Sequence, residues 1–190
     1  MNRRIGKIGP IGIGVIVAVI CSATIISAQT VYTCVWRNPE TTMTKLFPDA
    51  LDYRTVNAPL NPALVSDIEK LTGNPVLPGQ RENFQYFEMI GSKKEVIGYT
   101  LAATQKGDFG AIEFVFGIDK NSKIVNIYIQ RAREKDRLFW DPTFLSYFKG
   151  KRVSDLSSLT DPLKEKGSTG TRALVLGVKK EFFMLDKVRK

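Results

Sequence analysis

The sequence predicts an α+β fold: one N-terminal transmembrane helix followed by an antiparallel sheet flanked by helices. Three observations lead there. No residue from Ile8 to Trp36 is charged, and most are apolar. Short β-branched and aromatic runs then succeed one another between Phe84 and Gln130, separated by Gly, Asp, Asn and Ser. Near its end the chain runs ALVLGVKKEFFMLDKV, apolar enough for a helix docked on the domain despite Gly177.

A length of 190 residues suits one anchor and one domain, and is too short for two ordinary domains. The expected organisation is a cytoplasmic basic tail over 1–7, the transmembrane helix over 8–28, a helical lead-in over 29–80 and the domain proper over 81–190. The chain has no histidine, which removes Ser-His-Asp and Cys-His catalysis, imidazole zinc sites and His-ligated haem. Its two cysteines, Cys21 and Cys34, lie in and just past the apolar run, with neither CxxC nor cluster-binding spacing. The formal charge of +9 is spread along the chain and interleaved with acids, so a solvated surface is expected and no nucleic-acid partner.

At 1.5 Å per residue, the segment GPIGIGVIVAVICSATIISA is long enough to cross a hydrocarbon layer of about 30 Å. Arg3, Arg4 and Lys7 precede it without an acidic residue, which keeps the N-terminus cytoplasmic and places the domain outside. Localisation is therefore expected at the cell membrane as a single-pass protein, with the lipid bilayer as a partner. The rival is a signal peptide cleaved after Ala23, where Cys21-Ser22-Ala23 supplies small residues, although the apolar run continues beyond. A lipoprotein is disfavoured because Ile20 and Thr33, not Gly or Ala, precede the cysteines.

Thr41 to Leu51 predicts a short helix broken by Pro48, with Met43, Leu46 and Phe47 on one side. A second helix is predicted from Pro62 to Leu71, with Leu64, Ile68 and Leu71 sharing a face. Strands follow over Phe84–Ile90, Val96–Ala103, Ala111–Ile118 and Ile124–Gln130, with turns at Gly91-Ser92, Gly107-Asp108 and Asp119 to Ser122. Such turns between short apolar runs mark an antiparallel meander. Ile112, Phe114 and Phe116 alternate against Glu113, and the next strand gives Ile124, Val125, Ile127 and Ile129; the phase is imperfect, so no faces are assigned. Tyr86, Phe87, Tyr99, Phe139 and Trp140 could stack on a ring system; the plainer reading is core.

After the sheet comes a charged segment, Arg131 to Asp141, then a short helix over Thr143–Phe148 halted by Gly150. The next feature is the loop Gly167-Ser168-Thr169-Gly170-Thr171-Arg172 ahead of the C-terminal helix. Unpaired first-turn N–H groups and the helix dipole make a small, hydroxyl-rich loop there a candidate anion site. The alternative is an N-cap and nothing more.

The order of these pieces carries more than any one of them. An N-terminal anchor precedes Leu46-Phe47-Pro48-Asp49-Ala50, Gly98-Tyr99 and the run Val115-Phe116-Gly117-Ile118-Asp119-Lys120-Asn121-Ser122-Lys123-Ile124. Phe148-Lys149-Gly150-Lys151 and the Ser/Thr/Gly loop with its helix complete it. Over nearly the whole chain this order resembles the FMN-binding domain family, which includes the G subunit of Rnf-type electron-transport complexes and the C subunit of the sodium-pumping NADH:quinone reductase. The resemblance implies that 81–190 is an extracytoplasmic FMN-binding-like domain. It also implies a threonine esterified by the FMN phosphate, attached by a flavin transferase, and other subunits of a membrane complex as partners. Ser168, Thr169, Gly170, Thr171 and Arg172 are the cofactor-binding candidates it singles out.

The family's attachment motif is Ser-Gly-Ala-Thr, and this sequence departs from it. With Gly170 on the motif glycine, Arg172 takes the attachment position and offers no hydroxyl. With Thr171 on the attachment threonine, Ser168 is kept but Thr169 replaces the glycine and Gly170 the alanine. The upstream flavin-contact segment, Glu-Thr-Pro-Gly-Leu-Gly-like in the family, is Glu134-Lys135-Asp136-Arg137-Leu138-Phe139-Trp140 here. FMN is therefore expected to be either non-covalent, with Arg172 pairing with its phosphate, or absent. Three readings follow: an electron-relaying subunit, a flavin-free accessory subunit of a membrane assembly, and a ligand-binding domain reusing the flavin cleft.

Overall fold

The computed structural model describes residues 39–156 and 167–189. The span expected over 8–28 and both cysteines lie outside them, and among the described residues no helix is long and apolar enough to cross a membrane. The chain begins with α1 (Glu40–Leu46), β1 (Asp52–Ala58), α2 (Pro62–Thr72) and α3 (Pro78–Glu82). Strands β2 (Phe84–Ile90), β3 (Val96–Lys106), β4 (Ala111–Asp119) and β5 (Ile124–Arg131) follow, then α4 (Pro142–Ser146), a 3-10 turn (Val153–Asp155) and α5 (Thr169–Val188). This is an α+β domain, as the sequence predicts.

The sheet is five-stranded, with every neighbouring pair antiparallel, in sequence order from β1 to β5. Four of its strands are the predicted meander. The fifth, β1, was not marked in the sequence: DYRTVNA lies at the sheet edge, mostly exposed, and has no apolar alternation to announce it. It pairs with β2 over its full length.

Strand β4, between β3 and β5, is buried on both faces. Ile112, Phe114, Phe116 and Ile118 enter the larger core with α2 and α5, whereas Val115 joins Met43, Leu46, Phe47, Phe87 and Met89 on the opposite side. The imperfect phase in β5 has a local cause. Its register against β4 shifts twice, leaving Val125 and Gln130 without partners, so Ile124, Ile127 and Ile129 all reach the larger core despite uneven spacing.

On the smaller-core side, α1 ends at Leu46, earlier than the predicted Leu51. Pro48 disfavours helical backbone at the residue before it, and Phe47 sits at φ −131°, ψ 79°. The far edge of the Phe47 ring then lies against two glycines: a Cβ on Gly98 would come within 2.2 Å of it and one on Gly117 within 2.8 Å. A bulky residue at either position would evict the ring, whose burial contributes about 2 kcal/mol.

Helix α2 starts where Asn61 accepts the Leu64 N–H at 2.8 Å, and ends at Gly73 with φ +62°. Its buried face is Val65, Ile68 and Thr72; of the predicted Leu64, Ile68 and Leu71, Ile68 is buried, Leu64 is partly buried against the core and Leu71 is 55% exposed. Helix α5 packs across β3 and α2, close enough that a Cβ on Gly177 would fall 2.5 Å from Gln105 Cγ. Midway along α5, Lys180 and Glu181 are fully buried. The Lys180 ammonium donates to Gln80 Oε1 at 3.0 Å and lies 3.4 Å from Glu181 Oε1, which also accepts from Gln80 Nε2 at 2.8 Å.

Candidate functional site at the start of α5

Ser168 is the N-cap of α5. Its backbone is extended (φ −64°, ψ 169°), and its Oγ accepts the Thr171 N–H at 3.1 Å. The segment read as an open loop is thus largely the first helical turn: Thr169, Gly170 and Thr171 are already helical. Hydroxyl residues in this pattern satisfy donors that the helix leaves unpaired.

Two carboxylates from the segment between β5 and α4 close over that turn. Asp136 Oδ2 accepts the Thr171 hydroxyl at 2.8 Å and the Ser168 N–H at 3.3 Å, while Oδ1 accepts the Leu138 N–H at 3.0 Å. The Ser168 hydroxyl lies 3.2 Å from the Thr171 hydroxyl and extends the chain of polar contacts. Burial works to raise the Asp136 carboxyl, but bonds from Thr171, Ser168 and the Leu138 backbone outweigh it and hold the group below the usual aspartate value.

Glu134 is more enclosed, at 5% exposure. Its carboxylate is wedged between two glycines: a Cβ on Gly107 would lie 2.1 Å from Oε1, and one on Gly170 2.1 Å from Oε2. Oε1 accepts the Phe109 N–H at 3.3 Å, whereas among the described residues no donor meets Oε2. Both acids sit at the positive end of a helix of 20 residues, where a negative charge is stabilised by about 0.3–1 kcal/mol.

The five predicted residues are thus brought together at the helix start, where Ser168 and Arg172 are half-buried and Thr169 is exposed. Gly170 and Thr171 are buried; Thr171 has no exposed surface and spends its hydroxyl on Asp136. Arg172 folds back on its own helix start, donating to the Gly167 carbonyl at 2.8 Å and reaching Thr169 Oγ1 at 3.5 Å. An FMN phosphate does not fit this arrangement. The Thr171 hydroxyl an ester would need is occupied and enclosed, and a phosphate dianion would confront the Asp136 carboxylate bonded to the helix start and the Glu134 carboxylate packed against Gly170. Of the candidate stacking aromatics, Tyr86, Phe87 and Phe139 are core, Tyr99 is half-buried and Trp140 is 49% exposed.

The resemblance keeps Glu134 as the acid of a flavin-contact segment and assigns Asp136 no role. Their inward alternation between Arg133, Lys135 and Arg137 was the available signal. No model of a known protein family matches the chain, and no curated protein matches it.

Proposed function

We propose that this chain is a membrane-anchored, FMN-binding-domain-like subunit of an electron-transport complex, in which the domain supports the assembly and carries no flavin ester. The observation behind this is the closed start of α5, where Asp136 and Glu134 occupy the place an external anion would take and Thr171 spends its hydroxyl on Asp136. The anchor and the extracytoplasmic placement rest on the uncharged run and its basic flank.

The test is co-expression with a flavin transferase, followed by native separation of solubilised membranes and acid denaturation. Migration in a large complex is expected, with neither an FMN-sized mass increase nor flavin fluorescence on the denatured chain. A mass increase abolished by Thr171→Ala would overturn the flavin-free reading. Flavin that accompanies the native protein and leaves in acid would favour electron relay by non-covalent FMN. Reporters fused after Lys190 are expected to be active only outside the cytoplasm.

A further inference from the structure

The same segment that turns two carboxylates inward turns its cations outward. From Arg133 to Arg137 burial alternates: Arg133, Lys135 and Arg137 are exposed, Glu134 is buried and Asp136 is half-buried. This alternation leaves the three cations in a row on the outward side of the segment. No carboxylate among the described residues pairs with any of the three.

Two large exposed aromatics flank this row, each fastened to Glu134. Phe109, 47% exposed, donates its N–H to Glu134 Oε1 at 3.3 Å, and the Lys135 ammonium lies 4.8 Å from its ring centroid. Trp140, 49% exposed, donates its indole N–H to the Glu134 carbonyl at 2.6 Å. The indole's one polar atom is therefore satisfied inside the protein, and the surface it leaves outside is ring carbon. Aromatic rings beside outward-facing cations are the chemistry of a bilayer interface, where rings enter the headgroup region and Lys and Arg meet anionic lipid.

We propose that Arg133, Lys135, Arg137, Phe109 and Trp140 form a docking surface for an anionic bilayer, laying the domain against the membrane. The inference rests on the anchored reading above for its occupant: a tethered domain meets headgroups at high effective concentration. An acidic polypeptide would use the cations but has less use for an indole whose N–H is already spent, and the anchored reading holds the domain away from genomic nucleic acid.

The experiment uses the full chain with Trp36→Phe, which leaves Trp140 as the only tryptophan. It is reconstituted into nanodiscs of zwitterionic lipid, or of zwitterionic lipid mixed with phosphatidylglycerol, each with brominated acyl chains. Quenching and a blue shift of Trp140 are expected in the anionic discs, weak in the zwitterionic ones and reversed by salt. Each cation contributes roughly five-fold near an anionic surface, so Arg133→Gln/Lys135→Gln/Arg137→Gln is expected to lower the docked-to-undocked ratio by roughly a hundred-fold. That variant should keep its far-UV circular dichroism.

Unquenched Trp140 in anionic discs, or equal quenching in both kinds, overturns the proposal. So does Trp140 that ignores bilayers but is shielded from acrylamide by polyglutamate or by an oligonucleotide. The anchor is scored separately, by retention of the chain in discs after a high-salt alkaline wash. A chain that washes out yet is quenched by anionic vesicles keeps the docking surface and loses the anchor. One that is retained and unquenched does the reverse.

Discussion

Two polar clusters hold α5, and they solve the same burial problem in opposite ways. At its start, Asp136 lies between partners that all donate: a hydroxyl and two backbone N–H groups. Its midpoint instead buries an opposite-charge pair, Lys180 and Glu181, with Gln80 bonded to both. The titration behaviour divides accordingly. Donors hold Asp136 below the ordinary aspartate range, whereas burial pushes Glu181 above the usual glutamate value against the pull of Lys180 and Gln80. The first cluster thus favours a charge, and the second tolerates one at the expense of desolvation.

The sharpest way to break this contrast is at the midpoint. Lys180→Ala leaves Glu181 buried without its counter-charge, and a loss of about 3 kcal/mol in urea unfolding is expected. Replacing both members, as Lys180→Met with Glu181→Leu, should recover most of that loss because no charge then remains to desolvate. If the double variant is as unstable as the single one, the pair contributes net stability and the contrast fails.

Next in size is the wedge at the start of α5. Gly170→Ala places a methyl against Glu134 Oε2 and Cδ, where 2.1 and 2.5 Å of space exist, and about 2 kcal/mol of destabilisation is expected. Adding Glu134→Ala should relieve it, since the obstacle is that side chain. Calorimetry on the four-member cycle checks this; additive losses would show that Gly170 is required for some other reason.

These two clusters also show what a sequence discloses and what it withholds. Strands β2 to β5 were legible because their apolar runs and Gly, Asp and Asn turns are local features, and the imperfect phase in β5 proved to be two bulges. The α2 face departs from the leucine pattern at one position: Leu71 is exposed while Thr72 is buried and donates its hydroxyl to the Ile68 carbonyl. The site was half legible. Ser168 to Arg172 announce a helix start, but what faces that start comes from more than thirty residues away, and Asp136 to Thr171 is a contact no local pattern encodes. Lys180 and Glu181 resemble any solvated pair on a helix until Gln80 is seen bonded to both.

A smaller effect distinguishes the clusters by pH. The depressed Asp136 carboxyl binds its proton less readily folded than unfolded. Its contribution is therefore complete above the ordinary aspartate pKa and is lost as pH falls toward its lower folded value. Glu181, raised by burial, acts with the opposite sign: its contribution is complete below the ordinary glutamate pKa and is lost as pH rises through the folded value. Thr171→Val removes the strongest bond to Asp136 without changing shape, and about 1 kcal/mol is expected at neutral pH. Stability curves of parent and variant should converge as the pH is lowered through the acid range. Parallel curves would show that Thr171 does not set the Asp136 titration.

The smallest expected effect is at the cap, where an ordinary rule should reverse. Serine and aspartate are near-equivalent N-caps, because either side chain accepts a first-turn N–H and a negative charge suits the dipole, whereas Ser168→Ala should cost about 1 kcal/mol. Here the terminus already faces Asp136 and Glu134, and the Ser168 hydroxyl is bonded to the Thr171 hydroxyl that supports Asp136. A third carboxylate adds like-charge repulsion and removes that hydroxyl, so Ser168→Asp is expected to be destabilising by about 0.5 kcal/mol where equivalence would be the rule. Repulsion is screened by salt and lost hydrogen bonding is not, so part of the deficit should disappear at high ionic strength. Adding Asp136→Asn to Ser168→Asp should restore the ordinary behaviour of an aspartate cap. A Ser168→Asp variant as stable as the parent at low salt would mean that the two native acids do not saturate the start of α5.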